Sequence, residues 1–261
     1  VELPGSADGD AEGLDPGFRL GFVPGVTPAK WARVWRDRHR DVPLLLVQVE
    51  AADAEHELLA GRLDAVLLRP PVDRDLLHAI VLYEEESVVV VSRDHVLAAL
   101  DDDEVVDGTD LADEVLLRPA DDVVPWAGTP GAQAGAPAAP GRAPREVPPT
   151  TGDAIALVAA GVGVTVVPRS LARLHHRRDV TARALADAPT SPVALAWSIE
   201  RADDRTEDLV GIVRGRTVNS SRGRPQPAPA SPKQPAAERR AARGTGKRGA
   251  KPQGRAGRRR R

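Results

Sequence analysis

The six histidines, at positions 39, 56, 78, 95, 175 and 176, are scattered, and no two stand at the i, i+4 spacing that puts two imidazoles on one helix face for a metal ion. His175 and His176 adjoin Arg177 and Arg178 and read as a solvated helix end. The sequence has no cysteine, which excludes disulfides, thiolate metal ligands and thiol nucleophiles. Asp101-Asp102-Asp103-Glu104 reads as a solvated loop in preference to a cation site. Gly161-Val162-Gly163 lacks the third glycine of a dinucleotide-binding turn and follows an expected helix where that turn needs a strand, so it reads as a packing turn. No nucleophile elbow frames a serine. No catalytic residue, metal site or cofactor is expected, and the chain reads as a non-enzyme. The side chains with most chemical use stand at expected helix starts. These are Thr27 before Pro28 and Thr150 three residues ahead of Asp153, where a hydroxyl accepts from an open backbone N–H.

The elements that must position these residues follow from the apolar pattern. Phe18 to Val23 reads as a strand and Pro24-Gly25 as a turn, with Trp31, Val34 and Trp35 on one face of the helix that Thr27 caps. Leu44 to Val49 is short and wholly apolar except Gln48, which suits a buried strand. Asp53 caps a helix carrying Leu58 and Leu59 and ending at Gly61, and Ala65 to Leu68 forms a third strand closed by Pro70 and Pro71. Alternation at this length implies a mostly parallel sheet. Ile80 to Tyr83 and Ser87 to Ser92 add two strands. A second α/β unit has a helix near Thr109 to Asp113, a strand at Val115 to Leu117, a helix from Thr150 through Val158, and a strand ending at Val166-Val167-Pro168. Ser170 to His176 is a short helix, Val193 to Ser198 a strand, and Glu207 to Arg214 the closing helix. Residues 127–149 are dominated by Gly, Ala and Pro and read as disorder ahead of a mobile lid.

The net charge of −2 hides two opposed segments. Residues 222–261 carry fourteen Arg and Lys against the single acid Glu238, which leaves 22 bases against 37 acids in the rest. Residues 1–17 hold Glu2, Asp8, Asp10, Glu12 and Asp15 and no base, unlike a secretory signal or transit peptide, and read as a disordered acidic lead. No apolar run is long enough to span a bilayer, so a cytoplasmic protein without a membrane partner is expected. The chain opens on Val1 and contains no Met, which leaves open an unusual start or a missing N-terminal piece. Residues 217–261 lack the large apolar side chains that offset ordering entropy and read as a disordered basic tail. Within it Arg222-Gly223-Arg224-Pro225 resembles the core of an AT-hook, which lies in a narrow minor groove. The broader expectation is salt-sensitive, non-specific nucleic-acid contact through Arg222, Arg224, Arg239, Arg240, Arg258 and Arg259, against a tail that merely solubilises.

Four stretches in order carry a resemblance. They are Phe18-Arg19-Leu20-Gly21-Phe22, Gly61-Arg62-Leu63-Asp64-Ala65, the segment Leu76 to His95 with its Leu-Tyr-Glu-Glu core, and Val158-Ala159-Ala160-Gly161-Val162-Gly163-Val164 followed by Val167-Pro168. With them, residues 18–216 resemble the effector-binding (substrate-binding) domain of LysR-type transcriptional regulators, which has the type 2 periplasmic-binding-protein fold. The resemblance implies an α/β fold of two Rossmann-like lobes with a ligand cleft between them. Lobe I would hold about 18–86 and 190–216 and lobe II about 87–189, with a flexible loop at about 127–149 and two crossing strands joining the lobes. The family's helix-turn-helix would precede this domain, where only an acidic segment of seventeen residues stands, and Val96 takes the place of the family's usual proline after His95.

The resemblance also places the ligand between the lobes, at the carboxyl ends of strands and the N-termini of helices. Thr27 from lobe I and Thr150 or Thr151 from lobe II would face each other and suit a small carboxylate, with the start of the second helix near Asp53 beside them. The bland alternative is that the threonines only cap helices. Asp53 would repel an anion unless paired, and Arg69 is the natural countercharge or else a surface residue. Trp126 would wall the cleft from lobe II or anchor the long loop in the core. The leading reading is a small-molecule effector-binding protein linked to transcriptional regulation, with a homodimer as the family's common assembly. The alternatives are a stand-alone solute carrier and, third, an enzyme on the same fold. The absent cysteine excludes porphobilinogen deaminase-like chemistry, and the Thr-Arg-Phe motif of prephenate dehydratases is missing.

Overall fold

The computed structural model describes residues 17–101 and 104–215. The acidic lead and the basic tail, with Arg222, Arg224, Arg239, Arg240, Arg258 and Arg259, lie outside the described residues. The chain begins with a βαβαβ run: β1 (Phe18–Phe22), α1 (Ala29–Arg38), β2 (Leu44–Gln48), α2 (Ala54–Leu59) and β3 (Ala65–Leu68). β1 pairs in parallel with both β2 and β3. Two long strands, β4 (Leu77–Glu85) and β9 (Ser191–Ser198), complete this first sheet in the order β2-β1-β3-β9-β4, and both of their pairings are antiparallel. The second sheet has the order β6-β8-β5-β7, from β5 (Ser87–Ser92), β6 (Val105–Val106), β7 (Thr165–Pro168) and β8 (Val180–Leu185). Three helices, α3 (Thr151–Ala159), α4 (Arg169–Leu174) and α5 (Asp204–Val213), account for the remainder.

The α/β class and the two-lobed architecture agree with expectation, but the sheets are mixed rather than mostly parallel. The cause is the way the chain changes lobe. It leaves the first sheet through β4 into β5 and returns through β8 into β9; β4, β5 and β9 run against all their neighbours, and β8 runs against β5 but parallel to β6. Each lobe has its own core. In the first, Phe18 packs on Trp35 with ring centroids 5.0 Å apart, among Leu20, Leu58, Leu67, Leu195 and Leu209. The Trp35 indole keeps its hydrogen bond by donating to the Val42 carbonyl at 2.9 Å. In the second, the valines of β5 point alternately into two clusters, one around Trp126 and Leu111 and the other around Ile155 and Val158.

Several local expectations are corrected. β2 is not buried: it is an edge strand, and Leu45, Leu46 and Val47 are 43%, 44% and 36% exposed. An apolar run reads the same at a sheet's centre and at its edge, so only topology separates the two. Val115 to Leu117 forms isolated bridges to Arg142 and Val164 in place of a strand. The helix expected near Thr109 shrinks to a 3-10 turn at Gly108–Leu111, capped by Asp107. The strands β6 and β8, both too polar or too short to stand out, were not anticipated. Residues 127–149 take a defined path where disorder was expected. Ala127 N–H donates to the Pro137 carbonyl, Leu116 N–H to Arg142 and Ala120 N–H to Pro148, so backbone pairing supplies what apolar side chains do not.

Candidate functional site

In the parallel part of the first sheet, Phe22 stands beside Gln48 on one side and Leu67 on the other. The segments that follow, holding Thr27, Asp53 and Arg69, therefore emerge along one edge. That edge is where open α/β sheets bind ligands.

The three residues differ in what occupies them. Thr27 is exposed and does not cap α1 as expected: Pro28 holds the cap position, and no side chain bonds the helix start. The first turn of α1 also carries no acid. Asp53 does hold the cap position of α2, but its carboxylate makes no cap hydrogen bond, and Glu55 and Glu57 follow it. Arg69 is not the countercharge of Asp53. Its guanidinium donates to Glu85 at 2.8 Å, to the Pro24 carbonyl at 3.0 Å and to the Ser170 hydroxyl at 3.2 Å, while Nε is buried without a partner. Ser170 in turn donates to Glu85 at 2.7 Å. The side chains of Arg69 and Glu85 are only 5% and 13% exposed, so the ion pair is close to fully desolvated. Glu85 also pushes the Tyr83 phenol up, adding to the larger effect of burial, while Arg69 opposes both.

On the second lobe, Thr150 caps α3 as expected, accepting from Asp153 N–H at 3.1 Å. Asp153 departs from the usual box, because its carboxylate accepts from the Thr150 hydroxyl at 2.7 Å. Thr151 is buried, and its hydroxyl donates to Asp121 at 3.0 Å. Next to it, burial pushes the Asp122 carboxyl up, opposed by hydrogen bonds from Val124 N–H and the Arg118 side chain. The start of α3 thus already has carboxylates of its own. Trp126 is 2% exposed and belongs to the second lobe's core, which favours the anchoring role over the cleft wall.

Besides the Arg69–Ser170 bond, the lobes approach each other closely at two glycines. A Cβ on Gly25, where φ is +84°, would lie 2.6 Å from the Ser170 hydroxyl and 3.1 Å from Leu171 of α4. A Cβ on Gly131, in the long loop, would lie 3.0 Å from Pro71 and 3.3 Å from the Pro70 carbonyl. The loop from the second lobe therefore reaches the first one just past Arg69. Gly163 serves packing, since its backbone lies against Val115. Glu85 and Ser170 received no role from the sequence, because Ser170 is 101 residues from Arg69 and no local pattern joins them. Among the described residues no three His, Asp or Glu side chains are grouped to hold a metal ion, and His39 and His95 pair singly with Asp208 and Glu114.

This two-lobed frame, with strand ends and helix starts along one edge, agrees with a sequence match of residues 11–217 to the LysR substrate binding domain. The chain belongs to that family. A "Probable hydrogen peroxide-inducible genes activator" of Mycobacterium avium is 29% identical over 231 residues, spanning 82% of this chain and 70% of that protein. A protein of the same description from Mycobacterium leprae (strain TN) is 30% identical over 96 residues, spanning 36% of this chain and 31% of its own. Among solved structures, the BenM effector binding domain with its effector benzoate has a TM-score of 0.57 at 23% identity, covering 76% of this chain and 90% of that one. The oxidized form of OxyR has a TM-score of 0.59 at 21% identity, covering 77% and 95%. These likenesses fix the fold: the chain is a LysR-type effector-binding domain. Among its described residues, no helix is long and apolar enough to cross a membrane.

Proposed function

We propose that this domain binds a small carboxylate effector against the start of α1, and that occupancy is read out in transcriptional regulation. The observation that carries the reading is the state of the three helix starts. α2 has Asp53, Glu55 and Glu57, and α3 has Asp153 and the neighbouring Asp121, whereas α1 has no acid and no side-chain cap. Its open N–H groups and the exposed Thr27 hydroxyl are the donors available for an anion. Arg69 would act through Glu85 and Ser170, holding the α1 entry turn by its bond to Pro24. Asp53 and Thr150 would contact the neutral or donor part of the effector, with Thr151 and Trp126 behind them.

The transcriptional link draws on the mycobacterial relatives, described as genes activators, and on the effector benzoate of BenM. Their inducer does not carry over: peroxide reacts with thiols and thioethers, and this chain has neither Cys nor Met. Self-association as a homodimer is part of the same proposal, with the open, apolar outer edge of β2 as its surface. The tail residues Arg222, Arg224, Arg239, Arg240, Arg258 and Arg259 are proposed to hold nucleic acid by charge alone.

A thermal-shift panel of small carboxylates, headed by benzoate, tests the site. A stabilising acid is expected to lose its effect in Thr27→Val, and an unchanged shift removes Thr27. DNA binding at two salt concentrations, with and without residues 222–261, tests the tail. If neither form binds, the domain is a solute binder that needs a partner to reach DNA.

A further inference from the structure

A cavity of about 240 Å³ in the second lobe shares only Trp126 with the candidate effector site described above. Three chain segments and Trp126 line it: the turn at Asp107 and Thr109, the loop at Pro137 and Pro140, and the stretch that leaves β8 through Leu185 and Asp187. Its walls are of two kinds. Trp126, Leu185, the two prolines and small alanines supply an apolar face, and Asp107 and Asp187 supply carboxylates, with no Lys, Arg or His in the lining.

The carboxylates are not spent alike. Asp107 accepts from Thr109 N–H at 2.8 Å and from its hydroxyl at 2.7 Å, and these bonds hold the acid below its ordinary value, so it stays ionised. Asp187 is exposed and its side chain has no bond to a described residue. It is also the one non-glycine described residue at positive φ, 54°. That backbone state, tolerated by Asp and Asn, carries its carboxylate at the cavity with no partner among the described residues. Trp126 adds a buried indole Nε1 that lacks an acceptor, although buried donors are nearly always paired, and an oxygen on the ligand's body, not its ammonium, is what would meet it.

The position matters as much as the lining. Residues 186–190 carry the chain from β8 to β9 and thus from one lobe to the other. They are tied down by Ala186 N–H to Val106 at 2.8 Å, Ser87 hydroxyl to Pro189 at 2.6 Å and Thr190 hydroxyl to Glu84 at 2.6 Å. The loop that supplies Pro137 and Pro140 is the one whose Gly131 meets Pro70 and Pro71. A molecule here touches both a lobe crossing and the strap between lobes.

We infer that this hinge-side cavity binds a small organic cation, an apolar body bearing an ammonium group, at a site separate from the carboxylate proposed for α1. The ammonium pairs with Asp187 and Asp107, and the body lies against Trp126, Leu185 and the prolines, where an aromatic face also attracts a cation.

The test uses the full 261-residue chain at low ionic strength, titrated calorimetrically with benzylammonium and with benzyl alcohol, its neutral counterpart of similar shape. Saturable binding of benzylammonium with a Kd of about 1 mM or tighter is expected, and at least ~10-fold weaker binding of benzyl alcohol. Asp187→Asn, which keeps the left-handed backbone accessible, is expected to weaken benzylammonium about 5-fold or more without lowering Tm. Ala138→Phe, which fills the cavity from the loop, abolishes binding, and Thr27→Val leaves it intact. The inference is overturned if benzylammonium does not saturate, if benzyl alcohol binds equally well, or if both cavity variants bind as the wild type does. Loss of binding in Thr27→Val would place the cation at the α1 edge and overturn it equally.

Discussion

Arg69, at the end of β3, and Glu85, at the end of β4, form a 2.8 Å ion pair that also holds Ser170 of α4, so a nearly buried charge pair of the first lobe is fastened to the second. Removing one partner strands the other in a site with little water. Glu85→Ala is expected to cost about 3 kcal/mol of stability, whereas Arg69→Met with Glu85→Leu recovers most of that loss. Urea unfolding of the two variants and the wild type measures both. Equal losses in the single and double variants would show that shape, and not the charge pair, is what the site needs.

Thr150 and Thr27 are expected to separate stability from binding. Thr150 caps α3 through Asp153 N–H, so Thr150→Ala should lose about 1 kcal/mol. Thr27 caps nothing, so Thr27→Ala should stay within about 0.5 kcal/mol of wild type. Denaturant midpoints at constant m-value distinguish the two.

Asp122 predicts a pH dependence. Burial raises its folded pKa above the unfolded one, so between the two values the native state holds a proton that the unfolded chain has released. Its contribution is therefore fully present below the unfolded pKa and is lost as pH rises through the folded pKa. Asp122→Asn still accepts from Val124 N–H and has no proton to lose. Its stability relative to wild type is expected to improve as pH rises from about 4 to about 7. A difference that stays flat over that range would show that the carboxyl is not desolvated in solution.

The edge of β2 predicts an assembly. Leu46 is 44% exposed, so Leu46→Lys should leave the fold intact. If the wild type sediments as a dimer through this edge, the variant should sediment as a monomer, because a lysine opposes edge-to-edge pairing. An unchanged dimer would place the interface elsewhere.

Much of the fold was legible locally. The apolar spacing of Trp31 and Trp35 marked α1, Thr150 with Asp153 marked the start of α3, and the valines of β5 marked a buried strand. Such signals concern residues within one or two turns of each other, where hydrophobic period and capping act directly. The absence of cysteine likewise decided, from composition alone, which chemistry the chain cannot perform.

The candidate site was legible only as an edge. That Thr27, Asp53 and Arg69 follow strands β1, β2 and β3 came from their order, but which of them is already occupied did not. Arg69 found Glu85 16 residues away and Ser170 101 residues away, and Thr151 found Asp121 30 residues back. Those pairings depend on where the chain crosses between sheets, as does the exposure of Leu45 and Leu46 on an edge strand. Sequence by itself determined most of the elements and the cap of α3, because these follow from short-range periodicity and capping, while the two-lobed class came through the family resemblance. Only tertiary structure decided which charges are neutralised inside the protein and which are left for a ligand, because desolvation and ion pairing act through distances in space.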